Sequence, residues 1–300
     1  MSSIVTSKKP VLKKPTISVA IQGELGAYSQ QAVYSFFDRE VVKQVFPLPT
    51  LQRVFSELGS NGAEAPDFAV VPIENSFAGS VGETVDLLIS KNVRIVGETS
   101  VRVEHCLIIH KDTSLDKITK VMSHPQALAQ CRGYLDRKGN RWEQVSVYDT
   151  AGSVKMIKER NLKDTAGIAS ELACEIYGMK LVAKGIEDDA SNTTRFVIVE
   201  NAEKGESALR NDPSGDDKTT AIFATKHTPG CLVRALGTLS FRGINLDRIE
   251  SRPIRGKPWE YYFWVDFSGH AEEEVCKNAI EDLRHQTEEL KILGSYPRGV

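Results

Sequence analysis

The chain has 300 residues, 38 basic and 40 acidic side chains, and a formal net charge of -2. That balance gives no electrostatic reason to expect nucleic acid or a membrane as partner, and no apolar run approaches the roughly 20 residues needed to cross a bilayer. The five cysteines (Cys106, Cys131, Cys174, Cys231, Cys276) are dispersed without a C-x-x-C pair and the histidines show no H-E-x-x-H, so zinc ribbons and disulfide frameworks are excluded and a reducing, cytoplasmic setting is expected.

Residues 1–15 carry Lys8, Lys9, Lys13 and Lys14 with Pro10 and Pro15 but no apolar core, and read as a disordered basic tail rather than a signal peptide. From Ile17 the pattern alternates short apolar runs with helical periodicity. Strands are predicted at Ile17–Ile21, Val41–Phe46, Phe68–Ile73, Val93–Val96, Val101–Ile109, Lys120–Ser123, Val145–Tyr148, Ala166–Ala169, Leu181–Ala183 and Thr194–Val199. Helices are predicted at Ser29–Arg39, Leu51–Gly59, Gly82–Ser90, Pro125–Arg137, Ala151–Glu159 and Glu171–Tyr177. Such alternation implies an α/β domain with mainly parallel sheets, here over 16–200, in two lobes with crossovers near 96–103 and 184–194. Ligands bind at the carboxyl ends of strands in such folds.

Residues 201–218 lose periodicity and carry Pro213, Ser214 and Gly215, the signature of a linker. Over 219–297 the predicted order is strand Thr219–Ala224, helix Cys231–Phe241, strands Leu246–Ile254 and Tyr261–Phe267, a helix from Ala271 to about Thr287, and strand Leu290–Leu293. That βαββαβ order is the ferredoxin-like split unit.

Polar residues gather where the predicted strands end. Gly26-Ala27-Tyr28-Ser29 follows the first strand, with Ser29 as a cap or an anion donor. Glu74-Asn75-Ser76 ends the third, an acid, an amide and a hydroxyl suited to a polyoxygenated ligand or simply to feeding the next helix. Ser123-His124-Pro125-Gln126 follows another, with Pro125 at the first helical position and Gln130 one turn beyond Gln126; His124 reads as orienting more than as an acid. Thr150 closes a further strand end. Asn192-Thr193-Thr194-Arg195-Phe196 puts an amide, two hydroxyls and a guanidinium where a loop becomes a buried strand. Each cysteine reads as core. Several consecutive strand ends of this kind point to one shared polar cleft for a small anion, with no metal or organic cofactor.

Taken in order, Gly26–Ser29, Pro72–Ser76, Ser123–Gln126 with Gln130, and Asn192–Phe196 closely resemble the prephenate dehydratase family and its arogenate dehydratase relatives. Past the linker, His227–Val233 and Ile249–Pro253 resemble the two phenylalanine-site motifs of that family's regulatory ACT domain, with Cys231 where alanine is usual. The resemblance implies a two-lobed, periplasmic-binding-protein-like catalytic domain plus an ACT domain, and decarboxylating dehydration of prephenate to phenylpyruvate, or of arogenate to phenylalanine. It implies Thr194 as the catalytic residue, with Ser29, Glu74, Asn75, Ser76, Ser123, His124, Gln126, Gln130, Thr150, Asn192 and Arg195 around the substrate. It further implies feedback by L-phenylalanine at Gly230, Cys231, Leu232, Val233, Glu250, Ser251, Arg252 and Pro253, in a homodimer or homotetramer. No chorismate-mutase-like helical segment precedes these motifs, so a monofunctional enzyme is expected.

Charge refines two roles. A threonine hydroxyl is a very weak acid, so Thr194 is expected to donate a hydrogen bond to the departing oxygen rather than to give up its proton. The ring carboxylate loses its charge as it becomes carbon dioxide. A strong ion pair there would stabilise substrate more than transition state, so Arg195 is expected to hold the side-chain carboxylate or to orient Glu74.

Overall fold

The computed structural model describes residues 10–60, 62, 65–138, 141–209 and 212–299. Strand and helix alternate through β1 (Ile17–Gln22), α1 (Tyr28–Phe36), β2 (Val42–Leu48), α2 (Leu51–Leu58) and β3 (Phe68–Asn75), and β1 pairs in parallel with both β2 and β3. A two-residue β4 (Gly79–Ser80) folds back on the end of β3, pairing Glu74 with Ser80 and Asn75 with Gly79. Then come α3 (Gly82–Ser90) and β5 (Val93–Arg102).

A second series follows: β6 (Cys106–Ile109), β7 (Lys120–Ser123), α4 (Pro125–Gln130), α5 (Arg132–Arg137), β8 (Glu143–Ser146), α6 (Thr150–Glu159), β9 (Thr165–Ala169), α7 (Glu171–Tyr177) and β10 (Lys180–Lys184). These strands form a sheet of order β10-β6-β9-β7-β8, and β11 (Thr193–Asn201) then returns to the first sheet, of order β2-β1-β3-β11-β5. The result is a two-lobed α/β domain. In the second lobe, Leu107, Val121, Ala166 and Ile168 of the strands pack on Leu128 and Leu135 of the helices.

Two predicted elements came out differently. The helix expected over Pro125–Arg137 breaks at Cys131, whose ψ of 15° interrupts the α ladder. The Asp188 carboxylate accepts from Gly133 N–H at 3.0 Å with both oxygens and stands in for the missing carbonyl at the restart. The strand break expected between Val96 and Val101 lies instead between β5 and β6. Glu98, inside β5, is tolerated because Lys218 Nζ meets it at 2.7 Å and Gly299 N–H at 3.0 Å.

By packing, the chain divides into one compact unit of residues 15–85 with 99–196 and another of 1–14, 86–98 and 197–300. Residues 1–9 of the expected tail lie outside the described residues. Beyond them, Leu12 bridges Leu209 antiparallel and Lys13 N–H donates to Ala208 O at 2.9 Å, so the stretch read as a tail and the stretch read as a linker both carry ordered backbone.

In the second unit, β12 (Asp217–Ala224), α8 (Cys231–Ser240), β13 (Leu246–Pro253), β14 (Tyr261–Ser268), α9 (Glu274–Gln286) and β15 (Glu289–Pro297) make an antiparallel sheet of order β13-β14-β12-β15. This is the ferredoxin-like topology. Phe223, Val265 and Phe267 of the sheet bury against Ala235, Leu239, Ala279 and Leu283 of the two helices. Among the described residues no helix is long and apolar enough to cross a membrane, and no cluster of acid, histidine or cysteine side chains could hold a metal.

Candidate active site

The ends of β3 and β11 lie side by side. Ser76 N–H donates to Thr193 O at 2.9 Å, and Thr193 N–H returns a bond to Ser76 Oγ at 3.0 Å. Between these bonds sits Asn75. Its Oδ1 accepts from Phe77 and Ala78 N–H, and its Nδ2 donates to Asn192 Oδ1 at 2.8 Å and to Thr194 Oγ1 at 2.9 Å. Both ends of the amide are thus engaged within the protein, which makes Asn75 the hub that orients Asn192 and Thr194.

The same bonds fix what the neighbours offer. Asn192 accepts at Oδ1, so its Nδ2 is the other corner of the amide. Asn192 is only 2% exposed, and that Nδ2 has no hydrogen-bond partner among the described residues. A buried donor left unmet costs about 1–3 kcal/mol, a cost that a ligand acceptor removes. Asn192 lines a cleft of about 360 Å³ together with Phe77, Ala78, Gln126, Ala129 and Gln130. Clefts that take small molecules start at roughly this size. Glu187, Asp188 and Asp189 also border it. Their carboxylates are engaged by Arg102 and His105 N–H, by Gly133 N–H, and by Ser191 respectively.

Arg195 Nη2 meets Glu74 Oε2 at 3.3 Å.

A cleft of about 560 Å³ takes in Ser29, His124 and Thr150, next to the one that Gln126 and Gln130 line. Ser29 is buried inside α1 and caps nothing; the N-cap position is Ala27. The tight turn has a packing reason, because a Cβ on Gly26 (φ +87°) would stand 2.6 Å from Ala173 Cα. His124 caps α4, accepting from Gln126 N–H at 3.2 Å, and Thr150 opens α6 behind its cap Asp149. Burial pushes the Asp149 carboxyl up, against the bond from Gly152 N–H. Ser123 is wholly buried, and its hydroxyl donates to Ile168 O at 2.6 Å, which ties β7 to β9.

Sequence reasoning missed His105. It is 2% exposed, its Nδ1 lies 2.9 Å from Tyr28 Oη, and its Nε2 lies 2.9 Å from Gln130 Oε1. Tyr28 borders the larger cleft and Gln130 the smaller, so the imidazole joins them. The sign in the sequence was that Glu104-His105, after Arg102, stands just before the apolar run Cys106–Ile109. Burial raises the thiols of Cys106 (to about 12), Cys131 and Cys174, which keeps them protonated and unreactive.

In the C-terminal unit, strand alternation divides the second expected effector motif. Ile249, Ser251 and Pro253 pair with Val265, Phe263 and Tyr261 on the helix-bearing face, and Glu250 and Arg252 lie on the other. There Glu250 meets Arg248 at 2.6 Å, and Arg252 grips Asp86 of α3 at 2.9 Å. Glu250 and Arg252 therefore face away from the side on which Gly230–Val233 open α8, which separates them from the other expected effector residues. Gly230 (φ +75°) is the N-cap, and Cys231 Sγ accepts from Thr225 Oγ1 at 3.3 Å.

A family profile described as prephenate dehydratase matches residues 19–204. The chain is 39% identical over 297 residues to arogenate dehydratase/prephenate dehydratase 2, chloroplastic, of Arabidopsis thaliana, covering 94% of this chain and 73% of that protein. It resembles the structure of a prephenate dehydratase from Arthrobacter aurescens in complex with L-Phe, with a TM-score of 0.82 and 28% identity over 94% of this chain and 90% of that one. It also resembles GqqA, described as a novel type of quorum quenching acylase, with a TM-score of 0.83 and 33% identity over 94% of this chain and 98% of that one.

Proposed function

Because this chain belongs to the prephenate dehydratase family, we propose that it converts prephenate to phenylpyruvate, carbon dioxide and water, within phenylalanine biosynthesis. The carrying observation is the bond from Asn75 Nδ2 to Thr194 Oγ1. It fills a lone pair of the hydroxyl and so directs the hydroxyl's own hydrogen elsewhere, which supports a role for Thr194 as donor to the departing ring oxygen. As the carboxylate leaves as carbon dioxide, its electron pair enters the ring, the C–O bond at the opposite carbon breaks, and the oxygen leaves as water after taking up one proton. Aromatisation supplies the drive, so the protein's task is orientation and a donor at the leaving oxygen.

In this reading the smaller cleft takes the substrate. Asn192 and Gln130 supply amides to its oxygens, Gln126 lies at the mouth, and Ser76 helps hold the β11 end. Glu74, held by Arg195, immediately precedes Asn75, the residue bonded to Thr194. Ser29, His124 and Thr150 border the neighbouring cleft and serve substrate entry or lobe closure.

The activity is feedback-controlled by phenylalanine in this reading, through a C-terminal ACT domain. Support comes from the fold of that unit and from the neighbour solved with L-Phe. Gly230–Val233, Ser251 and Pro253 form the effector side, and Arg252 transmits through Asp86. Val233 (75% exposed) and Ile249 supply apolar surface for a homodimer.

Turnover measured side by side on prephenate and arogenate, with and without millimolar phenylalanine, tests all three parts. Preference for arogenate overturns the substrate, insensitivity to phenylalanine overturns the regulation, and inactivity on both substrates overturns the reading.

A further inference from the structure

Glu187, Asp188 and Asp189 border the smaller cleft, and each carboxylate is engaged differently. Asp189 accepts from Ser191 N–H and Ser191 Oγ within its own turn. Glu187 and Asp188 reach instead to chain distant in sequence. The Glu187 side chain is 1% exposed, meets Arg102 Nη2 at 3.0 Å and accepts from His105 N–H at 2.8 Å. Ile186 N–H also donates to His105 O at 3.1 Å, so both main-chain groups of His105 are held by this one stretch.

Asp188 serves the helix break in the same way. Its N–H donates at 2.7 Å to the carbonyl of Gln130, the last residue of α4, and its carboxylate accepts from Gly133 N–H in the first turn of α5 at 3.0 Å. Carbonyls at a helix end and N–H groups at a helix start need partners from outside the helix. One residue provides both, on either side of Cys131. Glycine suits position 133, because a Cβ there would stand 2.6 Å from Asp188 Oδ1.

His105 and Gln130 are themselves a pair, Nε2 to Oε1 at 2.9 Å, and Gln130 lines the smaller cleft. Adjacent residues thus hold the main chain at both ends of that pair. Four residues after Asp188 stands Asn192, whose carbonyl accepts from Val103 N–H at 2.8 Å and which lines the same cleft. We infer that Asp188 is a positioning residue. It splints α4 and α5 to the crossover and so sets the place of Gln130 relative to Asn192, a role in turnover that rests on the smaller cleft being the substrate site.

Three variants separate positioning from packing. Asp188→Ala removes the carboxylate, Gly133→Ala fills the space it occupies, and Asp188→Asn keeps an acceptor for Gly133 N–H. An amide that binds ground state and transition state alike acts on KM. Asp188→Ala and Gly133→Ala are therefore each expected to raise KM for prephenate about tenfold with kcat within about threefold, and Asp188→Asn to restore both to within about threefold of wild type. The double variant Asp188→Ala, Gly133→Ala is expected to be no worse than either single one, since both remove one contact. A second readout needs no turnover. The side-chain amide resonance of Gln130 in ¹H–¹⁵N spectra is expected to move in both alanine variants and to keep its wild-type position in Asp188→Asn. A Gln130 resonance unmoved in every variant, losses that simply add in the double variant, or a fall in kcat at unchanged KM overturns the inference. If the alanine variants fail to fold by circular dichroism, hydrogen exchange in the wild-type protein decides. Slow exchange at Gly133 N–H and Asp188 N–H is expected, and fast exchange at either overturns the splint. A wild-type protein inactive on prephenate and arogenate counts against the proposed function, and the Gln130 resonance still decides the splint.

Discussion

Asn75 Nδ2 lies 2.9 Å from Thr194 Oγ1, on the donor side of that hydrogen bond. The direction matters. A hydroxyl that accepts from the protein is left with its proton to give, and Thr194 is half-buried at the start of β11. Removing one preorganised donor from a reacting oxygen lowers kcat by about 10²–10³-fold. Thr194→Val is expected to show a loss of that size with KM little changed, and Thr194→Ser to recover most of it. Near-normal turnover in Thr194→Val would remove the residue from the chemistry. Asn75→Ala is expected to approach the Thr194→Val value, since it releases the hydroxyl and Asn192 together.

Glu74 shares the Arg195 guanidinium at 3.3 Å. Neutralising that carboxylate in Glu74→Gln makes Arg195 a stronger attractor for a substrate carboxylate. If the group attracted is the one that leaves as carbon dioxide, the ground state gains more than the transition state. The expected signature is a lower KM together with a lower kcat, read from steady-state kinetics. A rise in KM at unchanged kcat would instead show Glu74 contributing uniform binding.

Asp149 gives a pH-dependent prediction. Its folded pKa is raised by burial, so the charged form is disfavoured in the folded protein. A carboxyl with a raised folded pKa stabilises most below its unfolded value, and loses that contribution as pH rises through the folded value. Asn caps helices about as well as Asp. Asp149→Asn is therefore expected to be more stable than wild type at neutral pH, with the gap closing toward pH 4, as followed by urea denaturation at several pH values. A gap that widens on acidification would contradict the assignment.

Lys218 and Glu98 form a buried pair in the unit of residues 1–14, 86–98 and 197–300, at 2.7 Å with side chains 9% and 4% exposed. Breaking such a pair from one side strands a charge and is worth about 3–5 kcal/mol. Lys218→Met should lose about that much in denaturant unfolding. The double variant Glu98→Leu, Lys218→Met should recover much of it, though not the bond from Gly299 N–H. A double variant no better than the single would show that the pair's packing, not the stranded charge, dominates.

Local reading succeeded wherever the cause was local. The hydrophobic periods of 2 and 3.6 marked most strands and helices, Pro125 marked the start of α4, and the alternation of strands and helices implied an α/β domain, though β6 pairs antiparallel with both β10 and β9 where mainly parallel pairing was expected. It failed where the cause was distant in sequence. The break at Cys131 depends on Asp188, 55 residues away, reaching Gly133. The buried hydroxyl of Ser123 depends on Ile168 O in the neighbouring strand. His105 carried no local signal because its two partners, Tyr28 and Gln130, lie 77 residues before it and 25 after it.

The sequence by itself determined the fold class and the set of polar groups gathered at strand ends, because both follow from side-chain period and residue type along one stretch of chain. Only the tertiary structure decided how those groups divide their hydrogen bonds. It joined Asn75 to both Asn192 and Thr194, set His105 between Tyr28 and Gln130, and put Arg252 and Ser251 on opposite faces of one strand. A hydrogen bond has a direction and a partner, and both are settled by what packing brings within 3 Å, which no single stretch of sequence contains.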